Sequence, residues 1–150
     1  MRILVAEDQP EKAEVISRVL KNHFKLCEIV TAESLRSALS IVLSADQPAL
    51  IILDMSMPNF PLSSQGALEA EPESFAGQEL MKQMHLRNIE IPTVVVTQYS
   101  SFEKDSVTLQ ELDDLYKLRF SNFYIGSVYY SSTSSQWKKE LYTLLPEKLS

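Results

Sequence analysis

A chain of 150 residues that is 45% hydrophobic and 23% charged has the size and balance of one globular domain, able to bury a core without disulfide or metal staples. Its net charge of −6, with Lys and Arg scattered rather than clustered, argues against a polyanion-binding surface and so against nucleic acid as a direct partner. No apolar run approaches the roughly 20 residues that span a bilayer, and the start lacks a signal peptide's charged and apolar regions, so a cytoplasmic protein with no membrane partner is expected.

The chain opens on RILVA, a short apolar run that Glu7 and Asp8 end. Pro10 suits the first turn of a helix, where a missing N–H costs nothing, with Asp8 or Gln9 as N-cap. That helix is predicted to about Asn22, with Val15, Ile16, Val19 and Leu20 facing the sheet. KLCEIV reads as a second strand, with Cys27 as a buried structural thiol in it. Thr31 opens a helix in which Leu35, Ala38, Leu39, Val42 and Leu43 keep unbroken helical spacing. Pro48 closes the connection to a third strand, and LIILDMSMP follows: four aliphatic residues, then Asp54 where the apolar run stops. A run this apolar predicts a strand buried on both faces, as in a parallel sheet covered by helices.

The stretch NFPLSSQGALEAEPESFA, at about 59–76, interrupts the alternation and is expected to be an extended acidic loop, carrying Glu69, Glu71 and Glu73 without a balancing Lys or Arg. Gly77 precedes a helix with Leu80, Met81 and Met84 toward the core, and IPTVVVT is the fourth strand. Ser100 and Glu103 have capping-box spacing before a long helical stretch with Val107, Leu112, Leu115 and Leu118 on or near one face. NFYIGSVYY has the β-branched and aromatic content of a fifth strand. After SSTSS comes a last helix with Trp137, Leu141, Leu144 and Leu145 on one side. Five strands alternating with five helical segments predict an α/β sandwich with a parallel sheet, a single domain over 1–150.

This plan sends polar residues to the carboxyl edge of the sheet, where open α/β folds place their ligands. Strand one ends in Glu7 and Asp8, strand three in Asp54 and strand four in Thr97. If strand one lies beside strand three, three carboxylates converge. Clustered carboxylates repel, and a hard cation such as Mg²⁺, which takes oxygen ligands, rationalises them. A cation there would also let a carboxylate attack a phosphoryl group. The bland alternative is that all four residues cap strand ends.

The acidic pair in ILVAEDQP, the motif LDMSMP, Gly77 and the strand TVVVT together resemble the receiver domain of bacterial response regulators, over nearly the whole chain. The resemblance implies a doubly wound (βα)5 sandwich with a five-stranded parallel sheet of order 2-1-3-4-5. It implies that Asp54 is the phosphoacceptor and that Glu7, Asp8 and Asp54, with the backbone carbonyl of Ser56, hold Mg²⁺. Thr97 would be the switch hydroxyl, with Phe123 or Tyr124 repacking to alter a partner surface. A sensor histidine kinase or phosphotransfer protein would be the donor in a two-component system or phosphorelay. The face made by the fourth helix, fifth strand and fifth helix would dock a downstream protein. Monomer and homodimer are both open.

Three departures from that family pattern stand out. The family ends its fifth strand with a lysine followed by proline, whereas NFYIGSVYYSS has no lysine; Gly126 or Ser127 is read as falling near that place, and Lys104 as a potential substitute. A cation about 4 Å from an anion is worth on the order of 4 kcal/mol at an effective dielectric of about 20, before desolvation. Gln98 follows Thr97 where a small residue is usual, and the acidic insertion follows Pro58. Two functions are therefore weighed: a phosphoacceptor switch at Asp54, and a phosphorylation-independent pseudo-receiver serving as a protein-binding module. Neither is an independent enzyme, since Ser56 breaks the phosphatase pattern D-x-D and no nucleophile pairs with His23 or His85. With the last helix so near Ser150, no output domain is expected.

Overall fold

The computed structural model describes residues 1–58, 76–98 and 108–148. The elements alternate as β1 (Arg2–Ala6), α1 (Pro10–His23), β2 (Glu28–Ala32), α2 (Leu35–Val42), β3 (Leu50–Leu53), α3 (Ala76–Leu86), β4 (Thr93–Thr97), α4 (Leu109–Arg119), β5 (Tyr124–Tyr129) and α5 (Gln136–Leu144). All strand pairs are parallel, in the expected order 2-1-3-4-5.

Side chains alternate across a strand, and the sequence uses both faces. Ile3, Val5, Leu50, Ile52, Val94 and Val96 point to one side, where Ile16, Val19 and Leu20 of α1 and Trp137 and Leu141 of α5 cover them. Leu4, Ala6, Ile51, Leu53 and Val95 point to the other, against residues of α2, α3 and α4. This double coverage is why LIIL needs no polar alternation.

Several boundaries differ from expectation, each for a local reason. Thr31 does not open a helix but pairs with Val5 inside β2. The cap falls three residues later, where Ser34 Oγ accepts the Ser37 N–H at 3.1 Å and the Ser34 N–H donates in return to Ser37 Oγ. In α4 the Thr108 hydroxyl accepts the Glu111 N–H at 3.1 Å. Leu112 is buried, but Leu115 and Leu118 are exposed, and Tyr116 and Phe120 take the core positions in their place. The expected cap at Ser100 and Glu103, the substitute Lys104 and the acidic insertion through residue 75 lie outside the described residues. No helix among the described residues is long and apolar enough to cross a membrane.

Register decides what the strand ends share. Ala6 stands beside Leu53, and the Asp54 N–H donates to the Ala6 carbonyl at 3.0 Å, so Glu7 and Asp54 leave the sheet as neighbours. The first turn of α3 closes on the same spot. A Cβ at Gly77 would stand 2.6 Å from the Asp54 carbonyl oxygen and 3.1 Å from Met55 Cα, both backbone atoms that cannot rotate away. A Cβ at Gly126 would meet only the side chain of Leu144, at 3.1 Å. Gly77→Ala is therefore expected to lower unfolding free energy by about 1–3 kcal/mol, and Gly126→Ala by clearly less. Urea midpoints of the two variants check the ranking, and equal losses would contradict it.

Candidate functional site

Four elements build the pocket. Asp54 follows β3 directly and is 6% exposed; Glu7 follows β1 and is 3% exposed. Asp8, next along the chain, is half-buried. One carboxylate oxygen from each of the three lies within 4.8 Å of the others. Glu7 Oε2 accepts the Gln9 N–H at 3.0 Å, which fixes the turn into α1. Gln9 is the N-cap, without a side-chain capping bond, and Pro10 begins the helix as expected. Thr97 is fully buried at the end of β4, and its hydroxyl donates to the Asp54 carboxylate.

The charge that stabilises this cluster comes from a residue that the sequence reading passed over. Lys12, on the first turn of α1, places its ammonium 2.5 Å from Glu7 Oε1 and 3.4 Å from Asp54 Oδ1. The contact with Glu7 is a short, buried ion pair in which the ammonium holds the carboxylate against the effect of burial. The signal was present. Residues 12 and 13 continue the stripe of Ile16, Val19 and Leu20 back by one turn, so Lys12 had to lie on the buried face of α1.

Burial acts on both carboxylates. It raises the Glu7 carboxyl to about 7, helped by the nearby charge of Asp54 and opposed by Lys12. It also raises Asp54 above the usual carboxylate range, against the lowering influence of Lys12 and the Thr97 hydroxyl.

The remaining predicted residues fall in two groups. Ser56 is half-buried two residues after Asp54. Phe123 and Tyr124 are not brought there. Tyr124 pairs with Thr93 at the opposite end of β4 from Thr97, and both aromatics are core residues. The Tyr124 hydroxyl donates to Asp113 Oδ1 of α4 at 2.5 Å and shares a short contact with Ser127 Oγ. Register also corrects the expected place of the missing lysine. Thr97 stands opposite Tyr129, and the Tyr130 N–H donates to the Thr97 carbonyl at 2.8 Å, so Tyr129 and Tyr130, not Gly126 or Ser127, end the strand beside the pocket. Gln98 is exposed and accepts a long hydrogen bond, 3.4 Å, from Gln9 Nε2.

The donor set fits a hard divalent cation, because all three side chains offer carboxylate oxygen. Glu7, Asp8 and Asp54 are the carboxylates within reach of one such ion, and Glu7 is also paired with Lys12. A bound cation would supply charge neutralisation for an approaching phosphoryl group.

A raised carboxyl has a defined effect on stability. Glu7 takes up a proton on folding between its ordinary value of 4.5 and about 7. Its contribution to stability is thus fully present below about 4.5 and is lost as pH rises through about 7. In chelator-containing buffer, Glu7→Gln should gain on wild type in urea midpoint between pH 5 and pH 8, because the amide mimics the protonated acid. Parallel pH dependence in the two proteins would contradict a protonated Glu7.

Comparison with known proteins agrees with this geometry. Residues 3–113 match the family model described as the response regulator receiver domain. The chain is 27% identical over 150 residues to the Detocs response regulatory protein DtcB of Enterobacter cloacae, covering 98% of this chain and 99% of that one. It is 26% identical over 140 residues to the uncharacterized protein y4jR of Sinorhizobium fredii, covering 92% of each. Among solved structures, the Mn²⁺-bound response regulator Rcp1 superposes with a TM-score of 0.65 at 20% identity, over 99% of this chain and 98% of that one. The response regulator TrrA of Thermotoga maritima, in complex with Mg²⁺ and BeF, gives 0.57 at 24% identity, over 96% and 98%. With the family model spanning most of its length and the same sheet order at its centre, the chain belongs to the response regulator receiver domains, the signalling modules of two-component systems.

Proposed function

We propose that the protein is a phosphoacceptor switch in which Asp54 takes a phosphoryl group with Mg²⁺ as the associated cation. The observation that carries this reading is the meeting of Asp54, Glu7 and Asp8 within 4.8 Å, with Thr97 hydrogen-bonded to Asp54. A structural strand cap does not need three carboxylates brought together against their own repulsion. The donor is a sensor histidine kinase or a phosphotransfer protein, and the output is a protein contact rather than a reaction.

In this reading the Asp54 carboxylate is the nucleophile, and the Thr97 hydroxyl, already directed at it, holds a phosphoryl oxygen afterwards. A phosphoryl group adds about −1.5 to −2 charge beside a Glu7 carboxyl that is itself almost fully buried. The Thr97 shift passes along the β4–β5 ladder to Tyr124, whose bond to Asp113 ties β5 to α4, and to Phe123, stacked on Phe120 with ring centroids 5.5 Å apart. The exposed Leu115, Leu118, Tyr129 and Tyr142 on α4, β5 and α5 are the surface that such a shift would offer to a partner.

One observation favours the second reading, a phosphorylation-independent binding module: Lys12 already supplies positive charge to Glu7 and Asp54 at rest. The two are separated by incubating wild type and Asp54→Asn with Mg²⁺ and acetyl phosphate and measuring intact mass. Gain of one phosphoryl group by wild type and none by the variant is expected. An unchanged mass for wild type at saturating donor, together with no amide shifts on adding beryllofluoride, would leave the binding module as the function.

A further inference from the structure

The buried cation beside Asp54 comes from a helix and not from the last strand. Lys12 is 2% exposed, and its ammonium reaches both Glu7 and Asp54. It also lies over the ring of Tyr130, 5.2 Å from the centroid. Tyr130 directly follows β5 and is tied by its N–H to the Thr97 carbonyl, so an aromatic face occupies the end of the strand where receivers of the usual pattern carry a lysine. A ring face attracts a cation without accepting its hydrogen bonds in the plane, which leaves the ammonium hydrogens for the carboxylate oxygens.

We propose that Lys12 is the cationic partner of the phosphoryl group on Asp54, performing from α1 the role that a lysine at the end of β5 would perform. The proposal rests on the reading of Asp54 as phosphoacceptor. Resting-state neutralisation of Glu7 accounts for a buried lysine in this region, but not for its second contact with the oxygen of the attacking carboxylate. Nor does it account for the aromatic wall at the strand end. Together these place one positive charge on the reacting group itself.

In the transfer, an Asp54 oxygen forms a bond to phosphorus as the bond from phosphorus to the donor's leaving atom breaks, a ring nitrogen in a phosphohistidine and an oxygen in acetyl phosphate. With acetyl phosphate the leaving group departs as acetate, carrying the electron pair, and no proton moves. Negative charge near the ammonium rises from one carboxylate to a phosphoryl group carrying about −1.5 to −2. An unbranched lysine with a compact, three-donor head can follow that charge by torsion about its stem. Its attraction to the product is then stronger than to the resting carboxylate, the condition for a group to favour transfer.

The test compares wild type, Lys12→Gln and Lys12→Arg for labelling by acetyl phosphate and for beryllofluoride affinity, both with Mg²⁺ and with folding checked by thermal melts. Lys12→Gln should label at least tenfold more slowly and bind beryllofluoride at least tenfold more weakly, with Lys12→Arg recovering part of both. A folded Lys12→Gln that matches wild type in both would overturn the proposal and leave Asp54 as phosphoacceptor intact. A readout on unmodified protein covers the case in which Lys12→Gln does not fold. The Lys12 side-chain methylene resonance, identified by its disappearance in Lys12→Arg, should shift when wild type is saturated with beryllofluoride; no shift at saturation overturns the proposal. Wild type that neither labels nor binds beryllofluoride removes the phosphoacceptor reading, and this proposal with it.

Discussion

Glu7 and Asp54 are forced together by backbone register, not by mutual attraction. Once Ala6 pairs with Leu53, the next residue of each strand must leave the sheet at the same place. Their side chains then share a space that is almost closed to water, where neither carboxylate keeps its hydration and each opposes ionisation of the other. That arrangement is relieved by protonation of Glu7 or by positive charge in contact, and removal of one partner from a buried ion pair typically costs about 3–5 kcal/mol. Lys12 supplies that charge from within the chain. The turn of Glu7 onto the Gln9 N–H, the entry of α1 at Pro10 and the depth of Lys12 are parts of one solution to that electrostatic constraint.

Much of this could be read in advance because it depends on short-range pattern. The unbroken LIIL run announced a doubly covered strand, and the acidic ends of β1 and β3 announced a shared pocket, since parallel strands place their carboxyl ends on one edge. Thr31 was misread because a β-branched residue at a strand end is judged against a helix whose first turn can start at several places; only the Ser34–Ser37 pairing settles the choice. The end of β5 was misjudged for a related reason. Where a strand stops beside its neighbour is a tertiary fact, and the shift in register between Thr93 and Val94 moves the answer toward Tyr129. Lys12 was missed because a charged residue in an apolar stripe looks like an error in the stripe until a buried carboxylate is found opposite it.

The aromatic residues divide by position more sharply than composition suggests. Phe123, Tyr124, Tyr130 and Trp137 are all buried, and Tyr129 at 48% exposure is the member of that group left on the surface. Tyr116, Phe120, Phe123 and Tyr124 form successive ring contacts between α4 and the start of β5. On the opposite side of the sheet Tyr130 packs against Trp137, centroids 5.0 Å apart, which connects the pocket wall to α5. The two aromatic groups therefore belong to different layers, one remote from the carboxylates and one in contact with their cation.

Carrying the cation on α1 changes what the pocket is mechanically fastened to. A lysine on β5, the edge strand, is held by ladder bonds to β4 alone, whereas Lys12 stands at one end of a 14-residue helix, a strut roughly 20 Å long. The other end of that strut is pinned independently: His23 Nε2 meets the Pro146 carbonyl at 3.1 Å, just beyond α5, and its ring lies against Tyr142. The acidic pocket and the distal end of the last helix thus share a single rigid member. Tension applied at one is borne at the other, and α1 becomes a second load path through the domain, parallel to the one that runs through β4 and β5.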